Sequence, residues 1–269
     1  IFDYQFRVNR LFFPEVERGF LLGEPLSMVW ALPSGRGLAL IEAANDFIQS
    51  LHDSGEVDSL INRPFGHGDY LEYVGTRTFL SHLDSRLPQY TELFKQAAQQ
   101  TGFDWKLLAA LGYQESHWDR DAVSPTGVRG IMMLTQNTAK SLGVANRLDP
   151  AAAIDGGARY LADRHQRLPD TIPEPDRTYL ALASYNIGRG HVLDARKLAR
   201  ELGKDPDSWE DMQEVLPLKA DKRYYPQTRY GYARGYEPVH YVQRIRNYQD
   251  VISAAIKVIP LEETVNQED

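Results

Sequence analysis

Apolar residues recur at spacings of three and four from about residue 76 to residue 258, which is the period of one face of an α-helix. Capping residues divide this stretch, with Asp104 and Asp149 before apolar runs and Gly102, Gly188 and Gly203 after them. The predicted helices are 76–87, 88–101, 105–116, 137–142, 150–168, 174–187, 192–202, a short helix after residue 208, and 236–258. The pattern therefore predicts a mainly α region.

The first 70 residues follow a different pattern. Residues 26–32 form a short apolar run that ends at Pro33, which predicts a β-strand. Residues 38–51 carry apolar side chains at helical spacing. One strand and one helix are too little for a domain, so we expect a small α/β piece before the helical region.

Composition narrows the possible functions. The formal net charge of −7 argues against nucleic acid as the main partner, because phosphate binding favours a basic face. The absence of cysteine excludes disulfides and thiolate catalysis. The seven histidines lack metal-ligand spacing, and the sequence contains neither a phosphate-binding loop nor a serine-nucleophile motif. We expect no metal and no cofactor, and interpret the start at Ile1 as a mature or trimmed chain.

Glu115 is the first candidate for chemistry. Leu108, Leu111 and Gly112 share its helical face, so its carboxyl is expected to point inward near the C-terminus of a helix. Apolar surroundings and the helix dipole both disfavour an anion there, which raises a carboxyl pKa and suits a general acid. Position alone favours a structural glutamate that pairs with an arginine, or one that rotates into solvent, because structural networks also bury carboxylates.

The residues after Glu115 add a motif. The stretch reads YQESHWDRDAVSPTGVRGIMMLTQ from Tyr113 to Gln136, and its SPTG segment, which begins at Ser124, predicts a type I turn that returns the chain toward the helix end. This stretch resembles the catalytic segment of the lytic transglycosylases with the soluble-enzyme type of lysozyme-like domain. Two later blocks, ALASYNIG at 181–188 and EPVHYV at 237–242, resemble that family's further motifs in the same order.

The resemblance implies a lysozyme-like catalytic domain and a sole catalytic acid/base, Glu115. It implies cleavage of the bond between N-acetylmuramic acid and N-acetylglucosamine in peptidoglycan, with glycan strands and muropeptides as partners. Ordinary glycosidases need two carboxylates. Here the muramoyl C6 hydroxyl would close on C1 to leave a 1,6-anhydro end, so no second acid is required.

The resemblance also implies substrate contacts in the first two blocks. Ser124 would hydrogen-bond near Glu115 or the muramoyl group, although it also fits an ordinary turn residue. Tyr185 would orient Glu115 or steady developing charge, although a core tyrosine on a helix is the alternative. Asn186 would brace the helix end or touch the sugar.

Tyr241 would contact the sugar or the acid from the last helix, and Glu237 would hold polar groups of sugar or peptide. Met132 would line the cleft floor, with a plain core role as the alternative. The sequence departs from the family pattern at Met133, where a glutamine is frequent, and at Gln136, where a proline is frequent. Tyrosines are dense between residues 219 and 248, and they would line glycan subsites or anchor an irregular segment at 219–235.

The front of the chain resembles the end of a family 3 periplasmic solute-binding domain. We therefore predict a remnant of such a regulatory domain at 1–70, a linker and first helix at 71–88, the catalytic domain at 89–260 and a polar tail at 261–269. The resemblance implies a periplasmic location, with the full-length protein anchored to the inner face of the outer membrane. Coupling of the front module to catalysis through residues 66–77 is a hypothesis.

Two alternatives remain open from the sequence. A lysozyme-like hydrolase would need an acid that positions water, and Asp119 and Asp121 lie close to Glu115 in sequence. A non-catalytic peptidoglycan-binding protein on the same fold would need no acid at all.

Overall fold

The computed structural model describes residues 38–54, 73–124 and 127–258. The strand predicted at 26–32 and the tail at 261–269 lie outside these ranges. The chain divides into two units, residues 1–69 and 70–269. In the first unit, helix α1 spans Leu38–Asp53, which confirms the helix predicted from the apolar spacing of residues 38–51.

The described part of the second unit is built from helices. The α-helices are α2 Tyr73–Ser85, α3 Thr91–Thr101, α4 Trp105–Ser116, α5 Gln136–Ser141, α6 Pro150–Gln166, α7 Asp176–Ile187, α8 Arg189–Glu201, α9 Trp209–Val215 and α10 Tyr236–Val258. Short 3₁₀ helices lie at Leu87–Gln89, Leu216–Ala220 and Tyr225–Gln227. Within the described residues β-structure is limited to isolated bridges, so the mainly α prediction is confirmed.

Side-chain caps set several helix starts as the sequence predicts. The Asp104 carboxylate accepts a hydrogen bond from the Lys106 amide at 2.9 Å, and Asp149 accepts one from Ala152 at 2.9 Å. The helix predicted at 88–101 is shorter than expected. Pro88 lies instead in the 3₁₀ helix Leu87–Gln89 that precedes α3.

Helix α4 lies at the centre of the second unit. It packs against α10 and α3, while α6 packs between α3 and α7, and α7 also contacts α10. Leu108, Ala109, Ala110 and Leu111 are all 0% exposed, so α4 is buried on every side over its middle turns. Glu115 lies on the last turn of this helix, directly after its fully buried middle turns.

A buried ion pair organises the irregular segment at 219–235. The Lys219 ammonium is fully buried and donates to the Asp194 carboxylate on α8 at 2.7 Å. The Thr228 hydroxyl accepts a second bond from Lys219. The same carboxylate accepts the backbone amides of Arg229 at 3.2 Å and Tyr230 at 2.8 Å. The segment, whose regular structure is limited to short 3₁₀ turns, is therefore tied to α8 through one carboxylate.

Lys219→Met is expected to lower the free energy of unfolding by about 3–5 kcal/mol, because it leaves the Asp194 charge buried without its counter-ion. Lys197→Met is the matched control, since Lys197 is an exposed lysine on α8 that lies 3.6 Å from Glu201. Denaturant unfolding of both variants measures the difference. Equal stability of the two variants would contradict a structural role for the buried pair.

Candidate active site

The chain reverses direction directly after Glu115. Helix α4 ends at Ser116, and both His117 and Trp118 adopt left-handed backbone conformations with φ of 55°. Such conformations are costly for residues other than glycine and persist where contacts fix them. The Trp118 indole N–H donates to the Ala109 carbonyl at 2.8 Å, and the buried Ser116 hydroxyl donates to the Ile131 carbonyl at 2.9 Å. These bonds hold the returning chain against the helix end.

The Glu115 carboxyl is held between α4 and α10. The Tyr241 hydroxyl, from α10, donates a hydrogen bond to Glu115 Oε1. Burial raises the pKa of Glu115 from the ordinary 4.5 to about 7, and the bond from Tyr241 opposes that rise because it favours the carboxylate. Glu115 is therefore protonated over much of the range up to neutral pH, with a donor already placed for its ionised form.

A cleft of about 580 Å³ opens over this carboxyl. Its lining includes Glu115, Ser124, Met133, Thr135, Tyr185 and Asn186. Glu115 is the one carboxylate among the described residues that line it. A single acid of raised pKa in a cleft of this size is the arrangement of a site for general acid–base catalysis.

Residues within 123–135 supply one wall of the cleft, and this wall begins at a turn. The Gly127 amide donates to the Ser124 carbonyl at 2.9 Å, as the predicted turn requires, although its central residues lie outside the described ranges. The Ser124 hydroxyl accepts the Val128 amide at 3.0 Å. Beyond the turn, Arg129 forms antiparallel bridges with Val123 and with Leu134. Ser124 thus borders the cleft, and its hydroxyl also stabilises the turn.

Tyr185 joins α7 to the same wall. Its hydroxyl donates to the Met132 carbonyl at 2.9 Å, and its ring meets the Tyr160 ring edge-on with centroids 5.0 Å apart. Burial, together with the nearby Glu115 carboxylate, raises the pKa of Tyr185 well above its usual value. Tyr185 is therefore a neutral hydrogen-bond donor that fixes the wall beside the acid.

Met132 and its neighbour occupy different places. The Met132 side chain is fully buried, and a Cβ on Gly112 would lie 3.3 Å from its sulfur, whereas a Cβ on Gly157 would lie 2.6 Å from its Cε. The two glycines therefore let this side chain fill the space between α4 and α6. Met133 has φ of 45° and lines the cleft, so the residue that departs from the family pattern is the one that faces the site.

The last two predicted contacts differ in position. Asn186 is exposed and borders the cleft at the end of α7. Glu237 is exposed on the first turn of α10, where it pairs with Arg234 at 2.9 Å, and it is absent from the residues that line the cleft.

Sequence reasoning missed His117, which also lines the cleft. Its ring stacks on Tyr113 at a centroid distance of 4.8 Å, and the Arg86 guanidinium donates to its carbonyl at 2.9 Å. Its position two residues after Glu115 was the available signal, but spacing rules for metal ligands do not detect a lone histidine at a helix end.

Comparison with solved structures gives matches that include two lytic transglycosylases. An inactive mutant of lytic transglycosylase Slt from Pseudomonas aeruginosa aligns with a TM-score of 0.47 and 22% identity, over 78% of this chain and 30% of that one. The 70 kDa soluble lytic transglycosylase from Escherichia coli aligns with a TM-score of 0.48 and 21% identity, over 75% of this chain and 30% of that one.

Sequence comparison is more specific. Residues 92–208 match the family model described as Transglycosylase SLT domain. A membrane-bound lytic murein transglycosylase F from Marinobacter nauticus is 56% identical over 245 residues, which is 91% of this chain and 49% of the relative. A second protein of that description, from Alkalilimnicola ehrlichii, is 55% identical over 251 residues, or 93% of this chain and 56% of the relative.

The chain thus spans about half the length of the curated relatives it matches. Similarity at this level over nine-tenths of the chain confirms the resemblance carried by the three sequence blocks. The chain contains a transglycosylase SLT domain at residues 92–208, and over nine-tenths of its length it is similar to proteins named membrane-bound lytic murein transglycosylase F.

Proposed function

We propose that this protein is a peptidoglycan lytic transglycosylase that cleaves the β-1,4 bond between N-acetylmuramic acid and N-acetylglucosamine without water. The observation that carries the proposal is Glu115, a single carboxyl of raised pKa in a cleft, with the Tyr241 hydroxyl hydrogen-bonded to it. The SLT-domain match and the similarity to relatives named lytic murein transglycosylases support the same activity.

Glu115 acts first as the acid and then as the base. Its proton passes to the glycosidic oxygen as the bond from that oxygen to the muramoyl C1 breaks. The C6 hydroxyl oxygen of the same sugar then bonds to C1, and its proton returns to the Glu115 carboxylate. The product carries a 1,6-anhydromuramoyl end, and the enzyme is restored without a water molecule.

Neighbouring groups support both steps. Tyr241 donates to the carboxylate form, which stabilises Glu115 after it has given up its proton. An internal hydroxyl already held by the substrate replaces a second acid through proximity.

Hydrolysis is the alternative chemistry at this site. It would require an acid that activates water, and Asp119 and Asp121 are absent from the residues that line the cleft. The Asp119 carboxylate instead accepts the Asp121 amide at 2.9 Å, which stabilises the turn after α4. This placement favours transglycosylation over hydrolysis.

The setting of the full protein is also a proposal. The relatives are named membrane-bound, which supports a periplasmic, membrane-associated location near the outer membrane. Among the described residues no helix has the length and hydrophobicity needed to span a bilayer. The solute-binding-like remnant at 1–70, the linker at 71–88 and the catalytic domain at 89–260 stay predictions.

Glu115→Gln is expected to abolish cleavage of purified peptidoglycan, since the amide neither donates nor accepts the required proton. Mass analysis of the released muropeptides is the measurement, and wild-type products should be lighter by one water than reducing-end products. Asp119→Asn is the matched control and should leave product mass and yield unchanged. Reducing ends in the wild-type digest would refute transglycosylation, and unchanged activity of Glu115→Gln would refute catalysis by this residue.

Tyr241→Phe is expected to lower kcat/KM near neutral pH by about 10²-fold, because it removes a donor to the carboxylate form. The same loss raises the pKa of Glu115 further, so the limb of the pH–rate profile that reports this carboxyl moves to higher pH. Tyr232→Phe is the control, since Tyr232 is 56% exposed. A uniform loss of rate with no displacement of that limb would contradict the assigned hydrogen bond.

Glu115→Gln is also expected to change how stability depends on pH. A carboxyl with a pKa of about 7 in the folded state and 4.5 when unfolded binds its proton more tightly when folded, so wild-type stability falls as pH rises through this window. The glutamine variant lacks that loss and should gain about 3 kcal/mol of stability relative to wild type between pH 4 and pH 8. Thermal or denaturant unfolding at several pH values tests this, and a constant difference between the two proteins would contradict it.

A further inference from the structure

A second groove lies on the other side of the cleft wall. Its volume is about 600 Å³, comparable with the 580 Å³ of the catalytic cleft. Arg129, Lys140 and Arg147 line it, together with Gln136 and Asn146, and the described residues that line it include no carboxylate. The chain as a whole has a net charge of −7, so a groove with three cations and no acid is a local exception.

The three cations are differently engaged. The Arg147 guanidinium donates to the Leu134 carbonyl at 2.7 Å, so it is held in place at the wall. Arg129 and Lys140 are exposed, on the bridged segment and on α5 respectively. A fixed guanidinium with two adaptable cations suits a ligand that carries more than one carboxylate.

The catalytic cleft and this groove share one wall. Val128 borders the cleft and Arg129 the groove, and likewise Thr135 borders the cleft and Gln136 the groove. Arg129 forms antiparallel bridges, and successive side chains of a bridged segment point to opposite sides, which explains the first division. Thr135 caps the helix that begins at Gln136, so the second division lies at a helix start. A ligand in the groove is therefore separated from the cleft by the thickness of a single segment of backbone.

Gln136 adds a polar, uncharged side chain to the lining of this groove. It is the first residue of α5, a position that favours proline and where the family pattern often has one. In this chain the position carries an amide side chain that borders the groove instead. A polar residue at a site that favours proline adds a donor and an acceptor beside the cations.

We propose that this groove binds the carboxylates of the peptide stem carried by the glycan strand in the catalytic cleft. The inference rests on the proposed function, because it takes the substrate to be peptidoglycan. Stem peptides bear free carboxylates and hang from the muramoyl sugars, so a strand in the cleft brings them to the wall. Stem-bearing strands are then preferred over bare ones, and the preference weakens at high salt because the cations are exposed.

The test compares short glycan strands that carry tetrapeptide stems with the same strands after an amidase has removed the peptides. The Arg129→Gln/Lys140→Gln variant should lower the kcat/KM ratio of stem-bearing to bare strands about tenfold, the effect of losing two surface charge pairs. Lys140→Arg should keep the ratio. Lys197→Gln is the matched control, since it removes an exposed lysine on α8 and should leave the ratio unchanged.

Binding without turnover separates the two proposals. The Glu115→Gln chain should bind stem-bearing strands more tightly than bare strands, and the two groove substitutions in that background should abolish the difference. An unchanged kcat/KM ratio and unchanged binding in the groove variant would overturn the stem site, while cleavage to anhydro ends would leave the proposed function intact. Failure of wild type to cleave either strand would overturn the proposed function alone.

Inorganic phosphate serves as the competitor. If millimolar phosphate removes the preference for stem-bearing strands, phosphate and the stem carboxylates compete for one anion site, which supports the proposal. Phosphate binding that depends on Arg129 and Lys140, combined with equal affinity for stem-bearing and bare strands, would overturn the stem assignment in favour of a free-phosphate or lipid-headgroup site.

Discussion

The site depends on one hydrogen bond between two helices, from the Tyr241 hydroxyl to the Glu115 carboxyl. The last turn of α4 is an unfavourable place for a carboxylate, because both burial and the helix dipole oppose its charge. The hydrogen bond from Tyr241 on α10 lowers that cost without removing it, so the pKa of the carboxyl lies near neutral pH. Since α4 is enclosed by its neighbours and α10 packs along it, the core of the second unit also sets the distance between these two groups.

The cleft wall is positioned mainly through its backbone carbonyls. Ser116, Tyr185 and Arg147 each donate to one of them, from α4, from α7 and from the segment before α6. The acceptors are the carbonyls of Ile131, Met132 and Leu134. Three separate parts of the fold therefore hold three carbonyls within residues 131–134 of the wall. A wall held in this way keeps its position relative to Glu115 whatever side chains it presents, as a preorganised site requires.

The helices and the acid could be predicted from sequence because their causes are local. Apolar spacing, capping residues such as Asp104 and Asp149, and the inward face shared by Leu108 and Glu115 are all properties of neighbouring residues. The Glu115 prediction gained specificity only from the distant motif blocks, and the structure adds the contact with Tyr241 that joins two of them.

The remaining features could not be predicted because they depend on contacts between distant segments. Nothing near Lys219 in sequence indicates that its ammonium is buried against Asp194. Met132 is buried whereas Met133 lines the cleft with a left-handed backbone, a conformation that the adjacent side chains do not encode. The second groove likewise depends on where the cleft wall lies relative to α5.

The packing of Met132 links three positions that are far apart in the chain. Its side chain occupies the space left by the missing Cβ atoms of Gly112 and Gly157, while its contact with Tyr185 is made by the backbone carbonyl. The hydrogen bond to Tyr185 therefore does not depend on which side chain residue 132 carries. A Cβ at 112 would also lie 2.9 Å from the Phe94 ring, and a Cβ at 157 would lie 2.9 Å from the Met132 Cβ. A shorter side chain at 132 alone consequently makes no room for alanine at either glycine.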